Sequence, residues 1–151
     1  MARAHVLYDA GDWGVGELLV ERDLVLWHEL PEAGKRASGA HPIADRMTAY
    51  FAGEPVAFDD VDLDLTWCTP FQTDVAEALR RVPHGETVTY GELAALAGYP
   101  GAHRAAGTFC AANRFPIVLP CHRVVAADGL GGYGTLGVRY KKRLLELERT
   151  R

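Results

Sequence analysis

Residues 88–112 read VTYGELAALAGYPGAHRAAGTFCAA. Val88-Thr89-Tyr90 leads into a short predicted helix over Tyr90–Leu96. Thr89 and Glu92 form the Thr-x-x-Glu pattern of a capping box, in which each side chain satisfies an orphan amide of the first turn. Gly98-Tyr99-Pro100-Gly101 is a tight break, and an alanine-rich helix resumes over Ala102–Ala112. Helix, short glycine-containing turn, helix is the helix-turn-helix layout. The small residues Ala102, Ala105, Ala106 and Gly107 would let the second helix bring its backbone close to a groove. The same layout suits a helical hairpin packed in a core, so a nucleic-acid reader and a structural hairpin both stay open here.

Before this motif, Phe71, Val75, Ala78, Leu79 and Val82 recur at helical spacing and predict a helix over Pro70–Val82, stopped by Pro83-His84-Gly85. Earlier still, Val15–Leu30 (VGELLVERDLVLWHEL) reads as a hairpin around Glu21-Arg22-Asp23. Pro31–Ala40 reads as a loop, His41–Ala52 as a helix, and Val61, Leu63 and Leu65 alternate as in an edge strand. A first unit is expected to end near Thr66. After the motif, the two prolines of Phe115–Val125 (FPIVLPCHRVV) predict an extended segment. Five glycines within Gly129–Gly137 predict a mobile loop, and Arg139–Arg149 a final helix.

The length of 151 residues allows one ordinary domain or two small ones. With 48% hydrophobic and 24% charged residues, the chain can bury a core, which excludes overall disorder. No apolar run approaches the roughly 18–20 residues of a bilayer span. Met1-Ala-Arg-Ala-His lacks the layout of a signal peptide. The expectation is a soluble protein of the cytoplasm. Three cysteines without a CxxC pair predict neither a disulfide framework nor a cysteine-rich zinc site, so no metal and no cofactor is expected. The net charge of −4 conceals an asymmetry. Residues 1–66 carry 5 Lys/Arg against 13 Asp/Glu, and residues 67–151 carry 11 against 7. A basic C-terminal half suits a polyanionic partner, although Arg139, Lys141, Lys142, Arg143, Arg149 and Arg151 also read as a solvated tail.

Cys121 beside His122, in a rigid apolar segment followed by a glycine-rich loop, suggests an activated nucleophile, because the thiolate is the reactive form and an adjacent base can generate it. Neighbours on an extended segment point to opposite sides, so a bridging water is the simplest relay between them. A third group must orient the imidazole. Glu148, a carboxylate on a largely apolar helix, is the candidate. A lone cysteine is also a common core residue, and Cys110 reads as packing rather than as a second nucleophile.

The string Ile117-Val118-Leu119-Pro120-Cys121-His122-Arg123-Val124-Val125 resembles the signature of the O6-alkylguanine-DNA alkyltransferases (methylated-DNA–protein-cysteine methyltransferases). Thr69-Pro70-Phe71-Gln72, Val88 to Ala94, Arg104-Ala105-Ala106-Gly107 and Asn113 fall in the same order and spacing. The resemblance covers roughly residues 67–151. It implies an α/β chain: a small N-terminal domain, residues 1–66, with an antiparallel sheet plus a helix, and a mostly helical C-terminal domain, residues 67–151, with a (winged) helix-turn-helix. It implies irreversible, single-turnover transfer of an alkyl group from guanine O6 in double-stranded DNA to Cys121.

In that reading His122 takes the thiol proton through a water, Glu148 holds His122, Asn113 holds the turn before the active-site segment, and Tyr90 assists the leaving guanine. The target base must leave the duplex. Arg104 matches the family's arginine finger, and Ala102, His103, Ala105 and Gly107 would face the minor groove. Pro116, Val124, Tyr133, Gly134 and Thr135 would line the pocket. The chain departs from the family at Cys68, where glycine is usual. The stretch from Gly132-Tyr133 to Leu144-Leu145 is a residue longer, which bears on the register of the pocket loop. No obligate protein partner is implied, and a monomer is expected. Competing readings are an alkyltransferase-like damage-recognition protein, which would lack the cysteine, a Cys-His hydrolase, and a dimeric helix-turn-helix regulator.

Overall fold

The computed structural model describes Arg3–Arg149. The start of the stretch read for a leader, and Arg151 of the basic cluster, lie outside the described residues. The described chain is α/β, with a four-stranded mixed sheet and five α-helices. It forms two compact units. One reaches to Asp64 and also takes in residues 114–116, and the other comprises Leu65–Asn113 and the chain from Ile117 onward.

In the first unit β1 (Arg3–Asp9), β2 (Val15–Glu21) and β3 (Leu24–Glu32) form an antiparallel meander. The alternation Val6, Tyr8, Leu18, Val20, Val25 puts one face in the core. β4 (Asp62–Leu63) pairs with β3 in parallel. The sheet is therefore mixed, not purely antiparallel, because the chain returns to the edge through α1 (Pro42–Phe51) and the following loop rather than through a hairpin. His41 is the N-cap of α1 rather than its first residue, its Nδ1 accepting from Ile43 N–H. The aromatic face of α1 and the sheet interlock, Phe51 lying against Tyr8 and Trp13. Gly16 is what lets the Tyr8 ring cross β2, since a Cβ there would lie 2.2 Å from the ring.

In the second unit α2 (Pro70–Arg80) starts at a complete capping box, Thr69 with Gln72, and buries Val75, Ala76, Ala78 and Leu79. β5 (Val88–Thr89) feeds α3 (Tyr90–Leu96) through the expected Thr89–Glu92 box. α4 (His103–Ala111) follows the glycine-containing turn and packs on α3. Tyr99 anchors that turn to α2, its hydroxyl donating to Asp74 and its ring meeting Phe71 edge-on. β6 (Val124–Val125) pairs with β5 in parallel, and α5 (Gly137–Arg149) closes the unit.

The segment 115–125 is not extended throughout. Ile117 takes φ 75°, a left-handed conformation costly for a β-branched residue, and Cys121–Arg123 form a 3-10 turn. The opposite-sides argument for Cys121 and His122 therefore does not hold, because a helical turn separates neighbours by rotation and not by alternation. The strand β1 gives no strong signal in the sequence, its alternation being only three residues deep before Gly11.

Candidate active site

Cys121 opens the 3-10 turn and is 3% exposed. Asn113, just beyond α4, donates from Nδ2 to the Leu119 carbonyl (2.8 Å) and to Cys121 Sγ (3.1 Å). Its own N–H donates to the Cys110 carbonyl at 3.2 Å, so one residue ties the end of α4 to the sulfur. Burial pushes the Cys121 thiol well above its ordinary range, a hydrogen bond with Cys110 adds to this, and Asn113 and the Lys141 charge oppose it. The resting sulfur is a thiol. The adjacent base read from the sequence therefore has a proton to remove, because burial penalises the anion more than its donors favour it.

His122 and Glu148 are both fully buried as side chains and meet at 2.5 Å, Nε2 to Oε2. Glu148 also accepts from Arg123 Nε (2.9 Å) and Nη2 (3.1 Å) and from Gly85 N–H (2.9 Å). Burial alone would raise the Glu148 pKa. The hydrogen bonds and charges of His122 and Arg123 outweigh it and hold the carboxyl well below the usual carboxylate range. Burial lowers the His122 pKa, against the pull of Glu148. An ionised carboxylate facing Nε2 requires the proton on Nε2. A neutral His122 therefore carries its lone pair on Nδ1 and is competent as a base.

Tyr90 begins α3, its ring bordered by Gly107 and Gly131. A Cβ at Gly131 would lie 3.2 Å from the ring, and φ 74° there independently calls for glycine. Burial raises the Tyr90 pKa, followed by the charges of Cys110 and Cys121. Lys141 is fully buried, its Nζ donating to the carbonyls of Val124 (2.5 Å) and Gly132 (3.2 Å) and lying 5.6 Å from the Tyr90 ring centre. Tyr133 is half-buried, and its buried hydroxyl has no hydrogen-bond partner among the described residues. Its pKa is raised by burial and then by Cys121.

The remaining expected residues are more scattered. His103, Arg104 and Ala105 are exposed, Ala102 and Gly107 are half-buried, and Gly107 lies beside Tyr90. Val124 is fully buried, whereas Gly134 and Thr135 are exposed. Pro116 is half-buried and its carbonyl accepts from His28 Nδ1 at 2.6 Å. Sequence reasoning did not single out Arg123, Lys141 or His28. Lys141 had a signal, since Lys141, Leu144, Leu145 and Glu148 share one face of α5 at i, i+3, i+4, i+7. Among the described residues no group of three or more His, Cys, Asp or Glu side chains is placed to hold a metal, and no helix is long and apolar enough to cross a membrane.

Comparison with known proteins locates the chain. The family model described as 6-O-methylguanine DNA methyltransferase, DNA binding domain, matches residues 70–150. The methylated-DNA–protein-cysteine methyltransferase of Mycobacterium tuberculosis is 49% identical over 125 residues, which cover 82% of this chain and 72% of that protein. The crystal structure of M. tuberculosis O6-methylguanine methyltransferase superposes with a TM-score of 0.83 at 36% identity, covering 99% of this chain and 94% of that one. The structure of M. tuberculosis OGT in complex with DNA gives 0.81 at 37% identity, with 97% and 93% covered.

Proposed function

The chain belongs to the 6-O-methylguanine DNA methyltransferase family, and from that premise we propose that it repairs duplex DNA by moving the alkyl group of O6-alkylguanine onto Cys121. The observation that carries the reading is the buried Cys121 sulfur held by Asn113, with a neutral His122 next to it on the 3-10 turn, backed by Glu148. The sulfur attacks the alkyl carbon, a carbon–sulfur bond forms and the carbon–O6 bond breaks. The thioether has no leaving group to regenerate the thiol, so each molecule acts once. It acts as a single chain.

The resting thiol must lose its proton before or during attack. Neutral His122 accepts it, and the Glu148 carboxylate stabilises the imidazolium that results. Asn113 Nδ2 donates to the sulfur, a bond that strengthens as negative charge builds there. Lys141 supplies a fixed positive charge from α5. Tyr90 stays a phenol at neutral pH and can donate to the departing guanine anion.

A base inside a duplex must be flipped out to reach a buried sulfur. The exposed Arg104 on α4 fills the vacated stack, with Ala102, His103 and Ala105 against the minor groove. Tyr133, Gly134 and Thr135 border the flipped base, with Val124 as the apolar residue of the same pocket. Residues 1–66 serve as the support domain and 67–151 as the reacting domain. Because the substrate is duplex DNA, the working location is the cytoplasm, on the nucleoid in a prokaryote.

The test is a mass measurement after incubation with a duplex containing O6-methylguanine. One added methyl group on the Cys121 peptide, with stoichiometric loss of activity, is expected. Tight binding without a mass change would mark a damage-recognition protein instead.

A further inference from the structure

The function proposed above asks α4 to carry its first exposed residues, Arg104 among them, into the duplex, yet no cap on α4 itself fixes that end. Its N-cap is Ala102, which has no side chain to bond the first amides. α2 and α3 begin on complete capping boxes instead. The start of α4 is therefore set by the turn that feeds it, and Tyr99 organises that turn.

Two hydrogen-bonded motifs share this residue. The Tyr99 N–H donates to the Ala94 carbonyl at 2.8 Å and the Gly98 N–H to the Ala95 carbonyl at 3.0 Å, with Gly98 at φ 95°. This is a Schellman end to α3, with glycine in the left-handed position. The Tyr99 carbonyl then accepts from the Ala102 N–H at 3.1 Å, across Pro100 and a Gly101 at φ 89°, as in a type II turn. These backbone bonds reach α3 and α4. The Tyr99 side chain adds the third helix. Its ring meets Phe71 edge-on, with centroids 4.8 Å apart at 74°, and its hydroxyl donates to Asp74 Oδ2 at 2.6 Å. Phe71 and Asp74 stand at i and i+3, on one face of α2. α2 is itself held by its buried Val75, Ala76, Ala78 and Leu79.

Resting on the alkyl-transfer reading, we propose that Tyr99 is a positioning residue for duplex engagement: clamped to Asp74, it holds the N-terminal end of α4, and with it Arg104, in the orientation that enters DNA. A phenol on an ionised carboxylate makes a short, charge-assisted bond. With that bond in place α4 meets the duplex already ordered, and binding does not have to supply the entropy of fixing a turn that contains two glycines. The effect falls on the duplex and not on the sulfur.

The test is a double-mutant cycle of Tyr99→Phe and Asp74→Ala in the full chain. Each form is reacted with a duplex containing O6-methylguanine and, separately, with free O6-methylguanine base, and its affinity for the same duplex is measured by fluorescence anisotropy. Tyr99→Phe keeps the ring and removes only the hydroxyl. It is expected to weaken duplex affinity and slow transfer from subsaturating duplex about fivefold, the weight of one hydrogen bond at a partly exposed site, with transfer from the free base within about twofold of the parent. Asp74→Ala also removes a negative charge, which by itself favours DNA. The cycle cancels that contribution, because Tyr99→Phe is expected to have no effect on the duplex in the Asp74→Ala background.

A Tyr99→Phe chain that matches the parent on the duplex overturns the inference. An equal loss on duplex and free base, or unfolding of both single variants, also overturns it, since the hydroxyl then serves only the fold. So does a loss that persists in the Asp74→Ala background. If the parent accepts no methyl group from either substrate while the affinities still couple, the positioning of α4 stands and the alkyl-transfer reading fails.

Discussion

Glu148 concentrates four hydrogen bonds on one buried carboxylate, and its role divides between chemistry and stability. Glu148→Gln leaves the Arg123 guanidinium buried without its counter-charge. Removing one partner of such a pair costs about 3–5 kcal/mol. Guanidinium unfolding is expected to show a loss of this order, together with slowed methylation. A variant as stable as the parent would mean that Arg123 relaxes to solvent. Lys141 offers a cleaner probe of the sulfur. Its charge lowers the Cys121 pKa, so Lys141→Met should move the rise of the methylation rate to higher pH, measured on a free O6-alkylguanine base. An unshifted profile removes Lys141 from the electrostatics of the site. At this scale the sequence disclosed the His122–Glu148 pairing, because a carboxylate on an apolar helix face needs a partner. It concealed Arg123 and Lys141, because charged residues are almost never fully buried and default to a solvated reading.

Between elements, β3 holds the chain a few residues ahead of Cys121. His28 N–H donates to the Arg114 carbonyl at 2.9 Å and His28 Nδ1 to the Pro116 carbonyl, while the Tyr8 hydroxyl meets His28 Nε2 at 2.6 Å. A carbonyl only accepts, so Nδ1 carries the proton and, in the neutral ring, Nε2 accepts from Tyr8. Burial lowers the His28 pKa to about 4. The unfolded chain, near 6.5, binds the proton first, so this contribution to stability is present above about pH 6.5 and is lost as pH falls towards 4. The full loss is about 3 kcal/mol for a shift of this size. His28→Gln should flatten the pH dependence of unfolding over that window relative to the parent, and parallel curves would count against the assignment.

Gly131→Ala tests the support of Tyr90, where positive φ and a 3.2 Å approach to the ring combine. A stability loss of more than about 1 kcal/mol is expected from thermal unfolding. Helices were the legible elements, since the capping box at Thr89 and 3.6-residue periodicity are local signals. The 3-10 turn at Cys121 and the left-handed Ile117 were not legible, because buried neighbours, not local preference, hold them.

At the scale of the whole molecule, the charge asymmetry between the halves belongs with the substrate. The sequence placed a break after Thr66, and the compact units divide after Asp64, but no compositional change marks the return of residues 114–116 to the first unit. The half that carries Cys121 also carries the positive balance, 11 Lys/Arg against 7 Asp/Glu. Phosphate contacts release counterions, so duplex binding should weaken steeply as salt rises, while methylation by a free O6-alkylguanine base should be nearly insensitive to salt. Arg104→Ala separates this general attraction from base extrusion. The side chain is exposed on α4, away from the His122–Glu148–Arg123 cluster in sequence and in burial. Its removal should slow methylation from a duplex far more than from the free base, and should leave the salt slope of duplex binding nearly intact. Parallel rate measurements on the two substrates across a salt series decide the point. A proportionate loss on both would mean that Arg104 acts through the integrity of the site, and extrusion of the base would then have to be assigned elsewhere on α4.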